Sequence, residues 1–568
     1  MNRANQEIND FIKTIDTEHE FLTDYQTVIL EYFKSKYFYD KNILLLWLAV
    51  GRGKTLTSLT CALAGIKTKK FKQVIILSPK SIQDEFLKNL FFYYQLLYKD
   101  DDRAIKEYEK HLKYFIFIPY NAWNAYNQFK QIKNKNGYDE TLYIIDEAHL
   151  FMKSIIKVNL LPSEDKKNNV GNCMKIYKII KHAKNKKILA LTGTPSAKTP
   201  FELIPLINLA YERDLFNLTY QQFENRYIDY DTNTIIRRTE LIKKFDGLIA
   251  YVPPMTKNDK AQVKATPLII EEIEMSEPQY KQYLIDYEKE KNENGFTNKR
   301  NIYGILFGQK SSFHAKTFED CIYWNEDLTN NPKEDRTLCT KLKIDKTHTP
   351  KIIKMYEDSK DIKGKICFYF RFTNIYGVAC MEEKLKLEGY RRIITGENIF
   401  SKPDKRYAIF SGDIDNNIRN EWKDIFNNPL NKYGDYVRYI ILSPSGLVGI
   451  TLKDVRFLGI GSIEFNFSNI RQILGRCNRL NSHEDLPEKD RTLINKIYIM
   501  LKNNKYYKSH KKEVEKISDR TTAEYFEACP TIERIIYNDA IEDDKINEDF
   551  KENVLKKASI TEEIYKND

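Results

Sequence analysis

Short apolar runs alternate with amphipathic stretches along this chain, and the first run establishes the pattern. Ile43–Val50 is continuously apolar and ends at Gly51–Thr55, after which apolar residues recur at the helical spacing of Leu56 and Leu59. A run of this length bounded by glycines indicates a strand buried on both faces, and it is too short to span a bilayer. We therefore predict a strand, a glycine loop and a helix in that order.

Four more apolar runs follow before residue 210, and each ends in polar or turn-forming residues. They lie within Gln73–Lys80, Tyr114–Pro119, Leu142–His149 and Lys187–Pro195. Strands that alternate with helices over residues 40–210 predict an α/β fold with a doubly wound, largely parallel sheet. In such a sheet the functional side chains lie at the carboxyl ends of the strands.

The pattern changes over residues 213–345, which are aromatic, charged and irregular. We predict a helical insertion here, with a mobile loop at Asn325–Arg336. The α/β alternation returns from residue 350, with strands predicted at Gly364–Phe370, Arg406–Gly412 and Tyr436–Ser443. The predicted domains are an N-terminal lobe (1–212), the insertion (213–345), a C-terminal lobe (346–505) and a basic helical tail (506–568).

Composition narrows the class of protein without identifying it. Charged residues make up 30% and apolar residues 42% of the 568 positions, as in soluble globular proteins. The net charge of +11 suits a polyanionic partner, although many lysine-rich proteins share it. The eight cysteines include no CxxC pair and no Cys/His cluster, which argues against structural zinc and favours a reduced compartment. We find no signal peptide or membrane span and expect a cytoplasmic protein.

The Gly51–Thr55 loop has the residue types that bind nucleotide phosphates. Backbone N–H groups of a glycine loop and of the following helix N-terminus point at the same anion. Lys54 would reach the β- and γ-phosphates, and the Thr55 hydroxyl would bind Mg²⁺. Leu48 stands where the complete pattern has a further glycine, so a simple glycine turn is the alternative when the loop is considered alone.

Two carboxylates, Asp146 and Glu147, follow the apolar run of residues 142–145. Burial disfavours carboxylates unless a cation compensates their charge. Asp146 would hold Mg²⁺, and Glu147 would orient and deprotonate the attacking water. With the upstream phosphate loop, these residues predict a nucleotide hydrolase.

Further polar positions suit the same chemistry, but each also has a simple structural explanation. The Gln26 amide could bind an adenine edge or belong to an exposed helix. Lys80 and Ser81 could contact nucleic-acid phosphates or lie in a solvated loop. Thr192 and Thr194 could couple the carboxylate pair to another surface or form a turn.

A helix predicted at Asn469–Arg479 carries Gln472, Arg476 and Arg479 at i, i+4 and i+7, which places them on one face. Arginines on this face could complete an ATP site by stabilising charge at the γ-phosphate. A basic surface helix is the alternative.

In this order the segments resemble the motifs of superfamily 2 helicases and translocases. The segments that resemble motifs I, Ia, II, III, IV, V and VI are, in turn, Gly51–Thr55, Ser78–Ser81, Asp146–His149, Thr192–Pro195, Lys365–Phe372, Gly446–Leu452 and Gln472–Arg479. The TGTP sequence of motif III is typical of the Swi/Snf-type branch, and Gln26 occupies the position of the family's adenine-binding glutamine. Arg52 departs from the family, where smaller or apolar residues are commoner, and it either adds a phosphate contact or points outward.

The resemblance implies two recA-like lobes with ATP between them and nucleic acid across both. The implied catalytic residues are Lys54, Glu147, Arg476 and Arg479. The implied nucleotide-binding residues are Gln26, Gly51, Arg52, Gly53, Lys54, Thr55 and Gln472, with Thr55 and Asp146 as Mg²⁺ ligands. The implied coupling residues are His149, Thr192, Thr194 and Gly449, and the implied nucleic-acid contacts are Lys80, Ser81 and Thr451.

Four other segments resemble the helicases of nucleocytoplasmic large DNA viruses, including the poxvirus nucleoside triphosphatase I and early transcription factor small subunit, and those of yeast cytoplasmic linear plasmids. These segments are Met275–Tyr280, Ser411–Asp413, Phe426–Gly434 and Asn481–Arg491. The resemblance implies a helicase in viral-type transcription, with DNA or RNA, RNA polymerase or a transcription-factor subunit as partners, and packaging in a virion. A non-unwinding duplex translocase and a transcription-factor ATPase subunit remain alternatives.

Overall fold

The computed structural model describes residues 21–49, 52–132, 137–159, 171–196, 198–253, 263–290, 344–373, 376–412, 414–444, 450–479, 481–517 and 531–562. The chain divides into two compact units. The first contains Met1–Thr256 and Glu542–Asp568, and the second contains Lys257–Ile541. Within the described ranges, no helix has the length and apolar character needed to cross a membrane.

The first unit is built on one parallel sheet. Its strands are β1 (Ile43–Leu48), β2 (Gln73–Ser78), β3 (Phe115–Pro119), β4 (Thr141–Ile145), β5 (Lys187–Thr192), β6 (Ile228–Asp229), β7 (Thr234–Ile235) and β8 (Ile249–Val252). Apart from β6 and β7, which pair as an antiparallel hairpin, they form a sheet in the order β3-β2-β4-β5-β1-β8.

Strand β1 shows why both faces of this sheet are covered. Ile43, Leu45 and Trp47 pack into one hydrophobic core, and Leu44 and Leu46 pack into another. Neighbouring residues of a strand point to opposite faces, so a continuous apolar run supplies both cores. The helices of this unit up to residue 245 are α1 (Asp24–Lys34), α2 (Lys36–Lys41), α3 (Lys54–Lys67), α4 (Gln83–Leu97), α5 (Asp101–Leu112), α6 (Ala125–Gln131), α7 (Ala148–Asn159), α8 (Asn172–His182), α9 (Leu203–Leu209), α10 (Tyr220–Tyr227) and α11 (Arg238–Phe245).

The second unit repeats this architecture with a parallel sheet in the order β10-β16-β15-β11-β14-β13-β12, with β9 beside β16. Its strands are β9 (Lys264–Ala265), β10 (Ile269–Glu274), β11 (Lys365–Tyr369), β12 (Arg391–Arg392), β13 (Arg406–Phe410), β14 (Tyr439–Leu442), β15 (Val455–Ile460) and β16 (Thr492–Leu501). Its helices are α12 (Glu277–Glu290), α13 (Pro350–Ser359), α14 (Val378–Leu387), α15 (Asn416–Asn427), α16 (Phe467–Cys477), α17 (Asn504–Ser509), α18 (Lys511–Ile517) and the start of α19 (Ile532–Phe550). The prediction of two doubly wound parallel sheets is confirmed.

The structure divides the region of the predicted insertion between the two units. Strand β8 pairs with β1, with Ala250 opposite Leu46, and β10 pairs with β16, with Ile270 opposite Ile497. The boundaries predicted at residues 212 and 346 therefore differ from the boundary in the structure, because edge strands from within this region complete both sheets. The predicted mobile loop, Asn325–Arg336, lies outside the described residues.

The predicted tail, residues 506–568, is likewise divided. Helices α17 and α18 belong to the second unit, whereas the end of α19 and the π-helical turn Lys551–Leu555 belong to the first. The Ile560 backbone N–H donates to the Ile249 carbonyl of β8 (2.8 Å), and Arg238 forms an ion pair with Asp549 (2.8 Å). Residues 542–562 are thus part of the first unit's structure and not a separate tail.

Candidate nucleotide site

The carboxyl ends of β1, β4 and β5 meet at one edge of the first sheet. Trp47 of β1 lies opposite Thr192 of β5, and Ile145 of β4 lies opposite Ala190 of β5. Because all three strands are parallel, the segments that follow them project from the same edge. The phosphate loop, the carboxylate pair and the TGTP turn are therefore neighbours, as the sequence predicts.

The phosphate loop requires glycine at position 53 for two reasons. Gly53 has φ of +67°, in the left-handed region that favours glycine, and it immediately precedes Lys54, the first residue of α3. A Cβ at Gly53 would also lie 2.8 Å from Gln26 Nε2, closer than packed side chains allow. Gly51 lies outside the described residues.

Gln26 is buried and supports this loop. Its Nε2 donates to Thr57 Oγ1 (3.0 Å), and the Thr57 hydroxyl donates to the Gly53 carbonyl (2.9 Å). Its Oε1 accepts from the Thr23 backbone N–H (3.0 Å). The alternative of an exposed helix glutamine is therefore wrong, whereas adenine binding by Gln26 remains a prediction.

Arg52 joins the phosphate loop to β8, the edge strand that pairs with β1. Its Nε donates to the Pro253 carbonyl just after β8 (2.9 Å), and its guanidinium carbon lies 5.9 Å from the centre of the Tyr25 ring. The Tyr25 hydroxyl donates to the Arg52 carbonyl (3.2 Å). Arg52 thus contacts protein groups, and its contact with phosphate remains a prediction.

Lys54 extends from the start of α3 toward the TGTP turn. A Cβ built on Gly193 would lie 3.5 Å from Lys54 Nζ, so the ammonium lies close to the backbone of that turn. Thr55 is half-buried in the first turn of α3, and its carbonyl accepts from the Ser58 hydroxyl (2.8 Å). The ammonium, the hydroxyl and the helix N-terminus suit a phosphate group with a divalent cation.

Asp146 is a buried carboxylate without an ion-pair partner among the described residues. Burial and, to a smaller extent, the neighbouring Glu147 carboxylate raise its pKa to about 7, although the Lys54 ammonium and the Glu147 backbone N–H oppose the rise. A bound cation would compensate this charge, so the residues present fit a magnesium ion. Magnesium usually takes one or two protein ligands and completes its shell with phosphate and water.

Glu147 adopts a backbone conformation that is uncommon outside glycine, with φ of +46°. Such strained residues occur often at functional sites. Its Oε2 lies 3.4 Å from His149 Nδ1, which is also 2.9 Å from Thr192 Oγ1. Burial lowers the pKa of His149, so its imidazole is neutral near pH 7.

The Thr192 hydroxyl oxygen connects this histidine with the TGTP turn. It accepts from the Thr194 backbone N–H (2.9 Å), and Thr192 Oγ1 also lies 2.9 Å from the Thr194 carbonyl oxygen, to which it donates. With that donation made, His149 Nδ1 carries the proton and donates to Thr192. The structure thus brings together Glu147, His149, Thr192 and Thr194, although their role in coupling remains a prediction.

Lys80 and Ser81, two of the three positions predicted to contact nucleic acid, lie along the same edge of the sheet. Lys80 is exposed after β2, and its backbone N–H donates to Asn121 Oδ1 in the loop after β3 (3.1 Å). Ser81 follows in a short helical turn. Contacts of these residues with nucleic acid remain predictions.

In the second unit, the predicted arginines contact the segment that resembles motif V. Arg476 Nη1 donates to the Ile450 carbonyl (3.2 Å), and Arg479 Nη1 donates to Thr451 Oγ1. The Thr451 carbonyl accepts from Asn427 Nδ2 (2.8 Å). Gly449 lies outside the described residues.

The prediction that Gln472, Arg476 and Arg479 share one helical face is wrong for Arg479. Helix α16 ends at Cys477, and Asn478 has the non-helical angles φ −115° and ψ 74°. The Arg479 backbone N–H donates to Ser482 Oγ (3.2 Å), so Arg479 lies beyond the helix. Gln472 and Arg476 do lie on α16, one turn apart.

Sequence reasoning missed Thr57 and Tyr25, which hold Gln26 and the phosphate loop in place. Thr57 follows Thr55 by two residues in a helix of threonines and apolar residues, and Tyr25 precedes Gln26. The only sequence signal for a functional role of Thr57 and Tyr25 is that each lies within two residues of a predicted site residue. Their hydrogen bonds depend on the packing of α1 against α3.

Comparisons with known proteins identify a matching family and viral relatives. Residues 20–197 match the family described as "Type III restriction enzyme, res subunit". The "Termination factor NPH-I homolog" of African swine fever virus (isolate Pig/Kenya/KEN-50/1950) is 28% identical over 562 residues, which cover 91% of this chain and 76% of the relative. The "Early transcription factor 70 kDa subunit" of Monkeypox virus is 24% identical over 544 residues, with coverage of 90% and 76%.

Among solved structures, the Sulfolobus solfataricus SWI2/SNF2 ATPase core in complex with dsDNA aligns with 93% of this chain and 96% of that chain, at 16% identity and a TM-score of 0.31. The sequence relatives and the matched family confirm the resemblance to superfamily 2 helicases and to their viral branch. The chain is therefore similar over most of its length to a viral NPH-I termination factor homolog and to a poxvirus early transcription factor subunit, and residues 20–197 carry the match to the restriction-enzyme res-subunit family.

Proposed function

We propose that this protein hydrolyses ATP with Mg²⁺ in response to nucleic acid and uses the energy to unwind nucleic acid or move along it during viral-type transcription. The observation that carries the proposal is the convergence of Lys54, Asp146, Glu147 and Thr192 at one sheet edge. An ammonium for phosphates, a buried carboxylate for a cation and a second carboxylate for water are the groups that ATP hydrolysis requires.

Each group has a distinct role in this proposal. Lys54 binds the β- and γ-phosphates, while Asp146 and Thr55 hold the magnesium ion, which neutralises charge that develops on the phosphates. Glu147 orients the attacking water and accepts its proton. His149 and the Thr192 hydroxyl fix the position of the Glu147 carboxylate.

The second unit supplies the remaining proposed groups. Gln472 contributes to nucleotide binding, and Arg476 and Arg479 stabilise charge at the γ-phosphate. Support for these roles comes from the resemblance to motif VI. Thr451, which accepts from Arg479, is proposed as a nucleic-acid contact.

The names of the relatives support a role in transcription. The African swine fever virus relative is a termination factor homolog, and the alignment spans most of both chains. We propose DNA or RNA as substrate and RNA polymerase or a transcription-factor subunit as protein partner. A cytoplasmic location, with packaging in a virion, is part of this proposal, and the five described cysteines, which are buried and unpaired, are compatible with a reducing compartment.

Two alternatives remain. The similarity to the Monkeypox early transcription factor subunit favours an ATPase subunit of a transcription factor. The TGTP turn, typical of the Swi/Snf-type branch, favours a translocase that moves on duplex DNA without unwinding it.

Steady-state ATP hydrolysis in low salt distinguishes the helicase from the translocase. The full chain is assayed without polymer and with single-stranded DNA, duplex DNA or RNA, and Glu147→Gln serves as the hydrolysis-deficient control. Stimulation by single strands supports the helicase, and stimulation by duplex alone supports the translocase. Hydrolysis that no polymer stimulates would contradict the nucleic-acid dependence proposed here.

A further inference from the structure

The loop after β3 presents an exposed tryptophan. Trp123 is 88% exposed, the largest exposure of any large hydrophobic side chain in the described part of the chain. An indole normally buries most of its surface, and tryptophans that remain exposed are enriched where partners bind.

The backbone beneath this indole is held firmly. Asn172 Nδ2, at the start of α8, donates to the Trp123 carbonyl (2.8 Å) and to the Ala122 carbonyl (3.1 Å). Asn121 Oδ1 accepts from the Lys80 backbone N–H, which joins this loop to the loop after β2. The indole is therefore presented from an anchored loop, next to a segment already predicted to contact nucleic acid.

The two helices beside Trp123 are basic. Helices α6 and α8 contain no aspartate or glutamate. The Lys175 ammonium of α8 lies 5.3 Å from the centre of the Tyr126 ring of α6, and Lys130 is exposed one helical turn after Tyr126. We call Trp123, Tyr126, Lys130 and Lys175 the Trp123 patch.

We propose that the Trp123 patch binds single-stranded nucleic acid, with the indole stacked on an unpaired base and Lys130 and Lys175 facing phosphates. A flat apolar ring beside the cations of two helices that lack carboxylates suits a polyanion that carries flat rings. Duplexes bury the faces of their bases, so stacking requires a single strand or a frayed end. This inference rests on the proposed function and adds a specific contact residue and a substrate class to it.

Tryptophan fluorescence of the full chain, titrated with a thymidine 20-mer in low salt without nucleotide, tests the patch. Stacking quenches indole emission. Trp47 and Trp422 are only 8% and 5% exposed, and Trp324 lies outside the described residues, so quenching by Trp123 is identified by its loss in Trp123→Ala. We expect wild-type quenching, and in an anisotropy assay with a labelled 20-mer we expect Trp123→Ala to weaken binding about tenfold or more, the range for loss of one stacked base.

Matched variants separate stacking from general damage. Trp123→Phe keeps an aromatic ring and should recover most of the affinity lost in Trp123→Ala. Phe92→Ala removes another exposed aromatic side chain, 47% exposed on α4, and should bind like wild type. Lys175→Gln should reduce the slope of log affinity against log salt by about one unit or slightly less.

The outcomes distinguish this inference from the proposed function. If single strands stimulate ATP hydrolysis but Trp123→Ala binds them like wild type, the proposed binding at the Trp123 patch is wrong and the proposed function stands. An equal loss of affinity for blunt duplex would overturn the single-strand assignment. If wild type neither binds nor responds to any polymer, the proposed function fails, and the inference fails with it.

Discussion

Two buried carboxylates, Asp146 in the first unit and Glu533 in the second, have contrasting surroundings. Glu533 Oε1 forms an ion pair with Lys351 Nζ (2.6 Å), and Oε2 accepts from the Met500 backbone N–H (2.8 Å). Lys351 also donates to the Gly461 carbonyl (3.0 Å). Asp146 is equally buried, but its nearest influences are another carboxylate and the Lys54 ammonium.

The difference separates a structural charge from a functional one. The contacts of Glu533 hold the start of α19 against α13 and β16, so its charge is compensated within the fold. Asp146 has no ion-pair partner among the described residues, and burial raises its pKa because the Lys54 ammonium and the Glu147 backbone N–H offset its charge only in part. A buried charge that the fold leaves uncompensated indicates where a ligand supplies the missing charge.

Removal of the structural carboxylate should have the largest effect. Glu533→Gln leaves the Lys351 ammonium buried without its partner, so we expect the free energy of unfolding of the second unit to fall by about 3–5 kcal/mol. Urea unfolding, followed through the fluorescence of buried Trp422, measures this free energy of unfolding. The double variant Lys351→Met/Glu533→Gln should recover much of the loss, and a loss below about 1 kcal/mol in the single variant would contradict a compensating pair.

A neutral buried histidine extends the comparison to pH. His483 Nε2 donates to the Val455 carbonyl (2.7 Å), and burial lowers its pKa to about 4. As pH falls below about 6.5 the unfolded chain binds this proton first, so stability falls, by about 3 kcal/mol at pH 4. We expect urea unfolding at several pH values to show a steeper loss between pH 6.5 and 4 in wild type than in His483→Asn. Parallel profiles would contradict the prediction.

Glu147→Gln tests the proposed role of Glu147 as the general base in the nucleotide site. Loss of the general base should slow ATP hydrolysis at least ~10²-fold while ATP still binds. Turnover is measured with a coupled assay and binding with a fluorescent ATP analogue. Glu85→Gln makes the same charge change at an exposed position whose charge also acts on Asp146, and it should retain wild-type turnover.

Asp146→Asn should remove activity while increasing stability. The folded carboxyl group keeps its proton up to about pH 7, whereas the unfolded one releases it near pH 4, so the cost of the buried charge grows between these values. We expect the nucleotide-free variant to be more stable than wild type by roughly 1–3 kcal/mol at pH 8 and by less at pH 5. Urea unfolding of the first unit, followed through Trp47, measures the free energy of unfolding of both proteins at the two pH values. A difference between variant and wild type that does not change with pH would contradict the prediction.

The sequence was sufficient to predict the parts of the site that depend on local pattern. Apolar runs located β1 and β4, and the chemistry of Lys54, Asp146 and Glu147 followed from their positions at strand ends. Long-range pairing was not predictable. Strand β8 has only four residues and joins the sheet because β1 offers it an edge.

The wrong or missing predictions also concern features that arise only in the folded chain. Arg479 lies beyond α16 because Asn478 leaves the helical angles and the Arg479 N–H donates to Ser482 Oγ. Gln26 is buried because α1 packs on the phosphate loop. Trp123 cannot be distinguished by sequence from the many other aromatic residues, because its exposure is a property of the folded chain.

The return of residues 542–562 to the first unit has a consequence for biosynthesis. These residues leave the ribosome after the whole of the second unit, yet they provide the Ile560 N–H that bonds to Ile249 at the edge of the first sheet. Until translation has passed them, β8 has an unpaired edge that another nascent chain can join. The first unit to be synthesised is therefore the last to be completed, and a stop codon near residue 541 would damage the N-terminal unit.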